Sequence, residues 1–163
     1  MTAAEQLTVE LGERSYPIII GDGLLDGGLD LESHLGDGRC LVVSDSNVEP
    51  LYGEKLRQSL GEHCLGTVVL PAGEAHKNLA AVEKIIDELT ARGAARDTTV
   101  LALGGGVVGD IAGFAAASYM RGVSYLQVPT SLLAQVDSSV GGKNGVNHAR
   151  GKNLIGAFHQ PKA

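Results

Sequence analysis

The stretch Thr98-Thr-Val-Leu-Ala-Leu-Gly-Gly-Gly-Val-Val-Gly-Asp110 decides the fold of this chain. Its apolar first half predicts a buried strand, and its small-residue continuation predicts a helix that reaches about Tyr119. Gly104, Gly106 and Gly109 satisfy the pattern G-x-G-x-x-G in the strand-to-helix setting where it binds a dinucleotide pyrophosphate. Close packing of the helix on the strand, with no ligand, explains the same glycines. The pattern alone leaves both interpretations open.

Strands and helices alternate on both sides of this stretch. Apolar strands are predicted at residues 39–44, 66–70 and 123–128, and helices at 49–60 and 78–92. Because each strand is apolar throughout, the alternation predicts right-handed βαβ units whose sheet is covered on both faces. The fold class is therefore α/β, with a Rossmann-like, doubly wound, mainly parallel sheet.

The two ends of the chain depart from this alternation. Residues 6–11 and 15–20 predict an N-terminal β-hairpin. After the last predicted strand, residues 131–136 predict a short helix, and the glycine-rich segments 137–143 and 151–156 are expected to form loops.

Length, composition and charge limit the class of protein. A chain of 163 residues with 44% apolar and 20% charged residues is typical of one globular domain. The net charge is −6, yet residues 120–163 carry five basic side chains and Asp137 as the sole acid. An acidic body with a basic end argues against a nucleic-acid partner and favours a small phosphorylated ligand. No apolar run reaches the roughly 18 residues that a membrane span needs.

The remaining signals favour a reducing compartment and no metal site. Cys40 and Cys64 lie within apolar runs, and the N-terminus lacks the pattern of a signal peptide, so a cytoplasmic location is expected. The histidines have neither H-x-x-x-H nor H-E-x-x-H spacing, so no metal ligands are predicted among these residues.

Polar residues follow two of the predicted strands at their carboxyl ends, where doubly wound folds bind ligands. Asp45 is suited to accept hydrogen bonds from ribose hydroxyls and Asn47 to contact an adenine edge, although Asp45 is equally suited to cap the next helix. Glu74 and Lys77 follow the next strand and either share this crevice or form a solvated surface pair.

Cations among glycines dominate the end of the chain. Arg121, Lys143 and Lys152, with Asn153 beside the last, form either a phosphate site or a solvated surface. The isolated carboxylate of Asp137 is suited to hold a substrate hydroxyl or to close a salt bridge.

Four motifs in this order resemble the 3-dehydroquinate synthase family: Gly104-Gly-Gly-Val-Val-Gly-Asp110, Tyr119-Met-Arg-Gly122, the segment from Gln127 to Lys143 that contains Asp-Ser-Ser-Val-Gly-Gly-Lys, and Gly151-Lys-Asn-Leu-Ile-Gly-Ala-Phe-His-Gln-Pro161. The loops Ser44–Asn47 and Pro71–Lys77 extend the likeness over nearly the whole chain. The resemblance implies conversion of 3-deoxy-D-arabino-heptulosonate 7-phosphate, a phosphorylated seven-carbon sugar acid, into 3-dehydroquinate and phosphate, in the shikimate route to aromatic amino acids. It also implies catalytic NAD and a divalent metal, zinc or cobalt.

The resemblance implies roles for individual residues. It makes Asp137, Lys143 and Lys152 catalytic, with both lysines between cofactor and substrate, and Asn153 a ligand of the substrate phosphate. It implies that Arg121 reaches the phosphate site of a neighbouring subunit, and so a homodimer. The implied NAD site is lined by Asp45, Asn47, Glu74, Lys77, Gly105, Gly106, Val107, Asp110, Thr130 and Ser131, together with Lys143 and Lys152.

The family holds its metal with one glutamate and two histidines in a helical second domain that these residues do not contain. Residues 1–163 are therefore expected to be the NAD-binding α/β domain of a longer enzyme, without turnover by themselves. Ser131 and Asn144 depart from the family pattern. The alternatives are a related sugar phosphate cyclase, an iron-type NAD-dependent polyol dehydrogenase, and an NAD-binding module without catalysis.

Overall fold

A computed structural model describes residues 4–27, 30–35 and 38–163 of the chain. The chain begins with the predicted hairpin, in which β1 (Glu5–Val9) pairs antiparallel with β2 (Tyr16–Ile20). A short helix, α1 (Glu32–Leu35), follows. The N-terminal hairpin is confirmed, one or two residues away from the predicted bounds.

The centre of the molecule is the predicted parallel sheet. Its strands are β3 (Cys40–Asp45), β4 (Cys64–Leu70), β5 (Thr99–Gly104) and β6 (Ser124–Pro129). They lie in the order β4-β3-β5-β6, and every neighbouring pair is parallel. The chain moves outward from β3 to β4 and then crosses to the other side of β3, so the strand order reverses between β3 and β5. In doubly wound sheets, ligands bind outside the carboxyl ends of the strands at this reversal.

Helices cover both faces of the sheet. A π-helical turn (Glu49–Gly53) leads into α2 (Glu54–Leu60), so the helix predicted at 49–60 forms in two parts. The long helices are α3 (Leu79–Ala91) and α4 (Gly106–Ser118), close to their predicted bounds. This arrangement confirms the doubly wound α/β class.

The alternation of side chains along the strands produces two apolar cores. Leu41 and Val43 of β3 belong to the core on the side of α3 and α4. Cys40 and Val42 belong to the opposite core, which contains residues of α1 and α2 such as Leu56. Strands with apolar residues on both faces are what a sheet between two helical layers requires.

The end of the chain contains a second hairpin, which corrects the expected loop at 151–156. β7 (Lys143–His148) pairs antiparallel with β8 (Gly151–Phe158). Gly145 faces Gly156 across the pair, and a Cβ on Gly156 would lie 2.2 Å from the Asn144 carbonyl oxygen. The glycines therefore allow a close approach of two backbones. Before the hairpin, the expected short helix is a π-helical turn, Ala134–Ser138.

Candidate functional site

The glycine-rich turn between β5 and α4 lies at the reversal point of the sheet. A Cβ on each of the three patterned glycines would lie within 3 Å of a neighbouring side chain: Gly104 at 2.7 Å from Val108 Cβ, Gly106 at 2.7 Å from Ser138 Oγ, and Gly109, within α4, at 2.9 Å from Gln127 Oε1, the end of a flexible side chain. Close packing therefore accounts for Gly104 and Gly106 without a ligand. Whether the turn also holds a ligand depends on its backbone groups.

The N-terminus of α4 is suited to hold an anion. Its cap residue, Gly105, provides no side-chain cap, so the first N–H groups of a 13-residue helix are available. A Cβ on Gly105 would meet the Ser131 side chain at ordinary contact distances, 3.4 Å from Oγ and 3.9 Å from Cβ. Beside the turn, Ser138 Oγ is buried and has no hydrogen-bond partner among the described residues. An uncapped helix end beside an unpaired buried hydroxyl fits a pyrophosphate, which would accept hydrogen bonds from both.

The end of β6 lies against this turn. The Thr130 N–H donates to the Gly104 carbonyl oxygen at 3.0 Å, and the Ser131 hydroxyl accepts from the Ala134 N–H at 3.3 Å. The structure therefore brings Thr130 and Ser131 to the glycine turn, as the resemblance implies. The hydroxyl of Ser131, where the family more often has threonine, has a local capping contact.

A buried ion pair connects the loop after β4 to α4. Lys77 is 5% exposed, and its Nζ bonds the carboxylate of Asp110 and, at 2.7 Å, Oδ1 of Asn153. Burial raises the pKa of Asp110, and the nearby Lys77 opposes that rise. Lys77 thus joins the loop, the helix and the C-terminal hairpin, which excludes a solvated surface pair at this position.

Glu74 meets the hairpin from the same loop. Its Oε1 accepts a hydrogen bond from Asn147 Nδ2 at 2.8 Å and lies 3.8 Å from Lys152 Nζ. The Asn147 hydrogen bond, with smaller contributions from Lys77 and Lys152, lowers the pKa of Glu74. Sequence reasoning missed Asn147, since a strand asparagine has no local signal for a contact with residue 74.

The end of β3 contributes Asp45 and Asn47. Asp45 Oδ1 accepts from the backbone N–H groups of Asn47 at 2.8 Å and Val48 at 3.0 Å. One carboxylate oxygen of Asp45 therefore caps the turn at residues 46–48 rather than the next helix, because the helical turn from Glu49 has Val48 as its cap residue and no side-chain cap. Ser44 Oγ donates to the Leu103 carbonyl oxygen at 2.8 Å and ties β3 to β5 at this edge.

Eight of the predicted site residues are exposed: Asn47, Glu74, Arg121, Ser131, Asp137, Lys143, Lys152 and Asn153. Asp137 lies in the π-helical turn, and Lys143 begins β7. Arg121 follows α4 at the amino end of β6, the opposite edge of the sheet from the glycine turn. The length of α4, about 20 Å for its helix rise, separates Arg121 from the glycine turn.

Asn144 has a packing role. It is 7% exposed, its Nδ2 donates to the carbonyl oxygens of Gly142 at 3.0 Å and His159 at 2.8 Å, and its side chain fills the space beside Gly113 of α4. This residue therefore anchors β7 to α4.

Among residues 4–27, 30–35 and 38–163, no three His, Cys, Asp or Glu side chains form a group able to hold a metal ion. Within the same described ranges, no helix has the length and apolar character needed to cross a membrane.

Comparison with known proteins identifies the family. The family model described as "3-dehydroquinate synthase N-terminal" matches residues 67–163. The chain belongs to the 3-dehydroquinate synthase family. A 3-dehydroquinate synthase of Pseudomonas putida is 56% identical over 159 residues, 98% of this chain and 44% of that protein. One of Halorhodospira halophila is 61% identical over 155 residues, 95% of this chain and 43% of that protein.

Solved structures place the fold among related cyclases. A 2-deoxy-scyllo-inosose synthase, complexed with carbaglucose-6-phosphate, NAD+ and Co2+, matches 97% of this chain and 44% of its own, with a TM-score of 0.86 and 29% identity. A 2-epi-5-epi-valiolone synthase of Streptomyces hygroscopicus, with NAD+ and Zn2+ bound, matches 94% and 43%, with a TM-score of 0.82 and 36% identity. The chain spans less than half the length of these 3-dehydroquinate synthases and related cyclases.

Proposed function

We propose that this chain is the NAD-binding part, residues 1–163, of a 3-dehydroquinate synthase. The complete enzyme converts 3-deoxy-D-arabino-heptulosonate 7-phosphate into 3-dehydroquinate and phosphate, a lyase reaction of the shikimate route. One observation carries the proposal: proteins of that name are 55–61% identical to at least 95% of the chain. The related cyclases of solved structure are less similar, at 29% and 36% identity.

The glycine turn would receive the NAD pyrophosphate. The free N–H groups at the start of α4 donate to phosphate oxygens, and the helix dipole favours their negative charge. Gly105, Gly106, Val107, Thr130 and Ser131 form this part. Around it, Asp45, Asn47, Glu74, Lys77 and Asp110 would complete the nucleotide site, with Asp45 using the carboxylate oxygen that does not cap.

The C-terminal hairpin would bind the substrate. Lys143 and Lys152 place positive charge between cofactor and substrate, and Asn153 donates to the substrate phosphate. Asp137 accepts a substrate hydroxyl. Lys77 orients Asn153, because an ammonium can only donate and so fixes which end of the amide is the oxygen.

Two groups complete the chemistry. NAD supplies a hydride acceptor that is regenerated in each turnover, and a divalent zinc or cobalt ion, held by residues outside this chain, supplies Lewis acidity. We further propose a cytoplasmic homodimer, in which Arg121 serves the phosphate site of the neighbouring subunit. Its position at the far edge of the sheet from the glycine turn supports this role. No nucleic acid or membrane partner is part of the proposal.

Phosphate release tests the proposal in the complete enzyme. We expect release from 3-deoxy-D-arabino-heptulosonate 7-phosphate that needs NAD yet accumulates no NADH. Lys152→Ala and Asn153→Ala should lose most of the activity, because each removes a charge-assisted contact worth about 1.5–3 kcal/mol. Lys55→Ala is the matched control, since Lys55 is an exposed lysine paired with Asp26 on the other helical layer. Steady accumulation of NADH would identify a dehydrogenase instead, and release only from another sugar phosphate would identify a related cyclase.

A further inference from the structure

Asn147 joins three segments that surround the site. Its Nδ2 donates to Glu74 Oε1 at 2.8 Å, and its Oδ1 accepts from the Asn153 backbone N–H at 2.9 Å. Its own backbone N–H donates to the Lys77 carbonyl oxygen at 2.8 Å. The loop after β4, strand β7 and strand β8 are therefore held together at one half-buried residue.

The chemistry of these partners requires an amide at position 147. An ionised carboxylate only accepts hydrogen bonds, and a backbone N–H only donates. The side chain between Glu74 and Asn153 must therefore donate at one end and accept at the other, which asparagine does. A carboxylate in its place would keep the acceptor and lose the donor.

Asn153 depends on this arrangement for its conformation. Its φ is +54°, in the left-handed region that non-glycine residues seldom adopt. The Asn147 side chain holds its backbone N–H, and the Lys77 ammonium holds its side-chain oxygen. With the oxygen end occupied, the amide NH2 of Asn153 is the end suited to a phosphate.

We propose that Asn147 is a positioning residue that fixes the Glu74 carboxylate and the Asn153 backbone relative to each other. A ligand that binds Glu74 then meets Asn153 already in position, and a ligand that binds Asn153 meets Glu74 already in position. This inference rests on the proposed function, because it takes Glu74 as part of the NAD site and Asn153 as a ligand of the substrate phosphate.

Asn147→Asp tests the proposal through the pH dependence of NAD affinity. The new carboxylate would face Glu74, and two carboxylates in contact raise each other's pKa, so that one binds a proton in acid. The shared proton then replaces the lost amide donor. We expect NAD affinity to fall at least about tenfold at neutral pH and to recover towards the wild-type value in mildly acidic buffer.

Other charged groups lie near residues 74 and 147, and they are the same in wild type and in the Asn147→Asp variant. Lys152 Nζ lies 3.8 Å from Glu74 Oε1, Lys77 acts on Glu74 through its charge, and Asp110 pairs with Lys77. His76 precedes Lys77 on the loop after β4, and His148 follows Asn147 on β7. Wild-type protein contains the same groups, so titration of a histidine would appear in its profile as well.

Two controls isolate the carboxylate pair. Gln58 Nε2 donates to Glu54 Oε1 at 3.0 Å on α2, so Gln58→Glu creates the same contact away from the site. It should leave NAD affinity unchanged at every pH. The double variant Glu74→Gln/Asn147→Asp contains one carboxyl group in place of two and restores a donor–acceptor pair. It should lose the pH dependence.

The measurement is calorimetric titration of the 163-residue chain with NAD across the pH range, with folding checked by circular dichroism. The proposal is overturned if Asn147→Asp binds NAD like wild type at neutral pH, or if the double variant keeps the pH dependence. Should Asn147→Asp fail to fold at neutral pH, the double variant must restore folding, and its failure to do so contradicts the proposal. If wild type itself binds no NAD, the proposed function fails first.

Discussion

Replacing Lys77 by methionine tests the buried network that joins the loop after β4, helix α4 and the C-terminal hairpin. Methionine keeps most of the volume of the lysine stem and removes the ammonium. Asp110 then remains partly buried, with a side chain only 20% exposed, without its counter-charge. Asn153 Oδ1 loses the donor that lies 2.7 Å away.

The structure sets the size of the effect. Removing one member of a buried ion pair costs about 3–5 kcal/mol, and the remaining exposure of Asp110 places the cost at the lower end. In a chain of this length, 1 kcal/mol shifts the melting temperature by about 2–4 °C. We therefore expect Lys77→Met to melt roughly 6–12 °C below wild type at neutral pH.

The loss of stability should depend on pH in a definite direction. Burial holds the pKa of Asp110 above its ordinary value of 3.8, and Lys77 opposes this rise. Without Lys77, the pKa of Asp110 in the folded protein rises further. Burying the Asp110 carboxyl group costs little while the group is protonated and more once it is ionised. The stability lost in Lys77→Met is therefore smallest in acid and grows as the pH rises through the pKa of Asp110 in the folded protein.

Thermal melting followed by circular dichroism in acid and at neutral pH measures this dependence. Asp110→Asn added to Lys77→Met should recover much of the lost stability, because no uncompensated charge remains. Lys55→Met is the matched control: it breaks an exposed pair with Asp26, and its melting temperature should stay near that of wild type. A Lys77→Met variant as stable as wild type at neutral pH, or a double variant less stable than Lys77→Met, would refute the reasoning.

Three further predictions concern backbone positions and a cap. Gly106→Ala should lower the melting temperature, because the new Cβ would lie 2.7 Å from Ser138 Oγ. Gly105→Ala places its Cβ at an ordinary 3.4 Å from Ser131 Oγ, so it should weaken NAD binding more than it lowers stability. Equal losses of stability in the two variants would contradict this prediction. Gly156→Ala should destabilise the C-terminal hairpin, since its Cβ would lie 2.2 Å from a facing carbonyl oxygen, and unchanged hydrogen exchange in that hairpin would argue otherwise. Asp45→Ala should lower the free energy of unfolding by about 1 kcal/mol, measured in denaturant, because two backbone N–H groups lose their acceptor. It should also weaken NAD binding by about 1–3 kcal/mol if the other carboxylate oxygen bonds ribose. An unchanged NAD affinity would leave Asp45 with the turn-capping role alone.

The sheet and its helices were predictable because their signals are local. Apolar runs of strand length, each followed by a helical segment, leave few topologies other than a parallel doubly wound sheet. The hairpin of β7 and β8 was not predictable in this way. Gly156 lies in a glycine-rich segment that was expected to be a loop, and its role appears only when it faces Gly145 across the strand pair.

The residues assigned to the site stay predictions, and their contacts were not predictable from the sequence. The resemblance placed Lys77 and Asp110 in the NAD site and Asn153 at the substrate phosphate, and in the structure the Lys77 ammonium contacts both of the other side chains. Local sequence offered a helix cap or a ribose contact for Asp45, and the structure shows one of its oxygens capping the turn at residues 46–48 instead of the helix. The contact between Asn147 and Glu74 spans 73 positions, so only the folded chain reveals it.

Calorimetric titration of the wild-type 163-residue chain with NAD tests the central claim most directly. We predict weak, saturable binding, because this chain contains the glycine turn and the β3 end but spans only 44% of the length of a relative such as the Pseudomonas putida protein. Gly106→Val should abolish that binding, since a side chain there collides with Ser138 and disturbs the free helix end. An absence of binding heat at millimolar NAD in a folded wild-type chain would contradict the claim that residues 1–163 form the NAD-binding part of the enzyme.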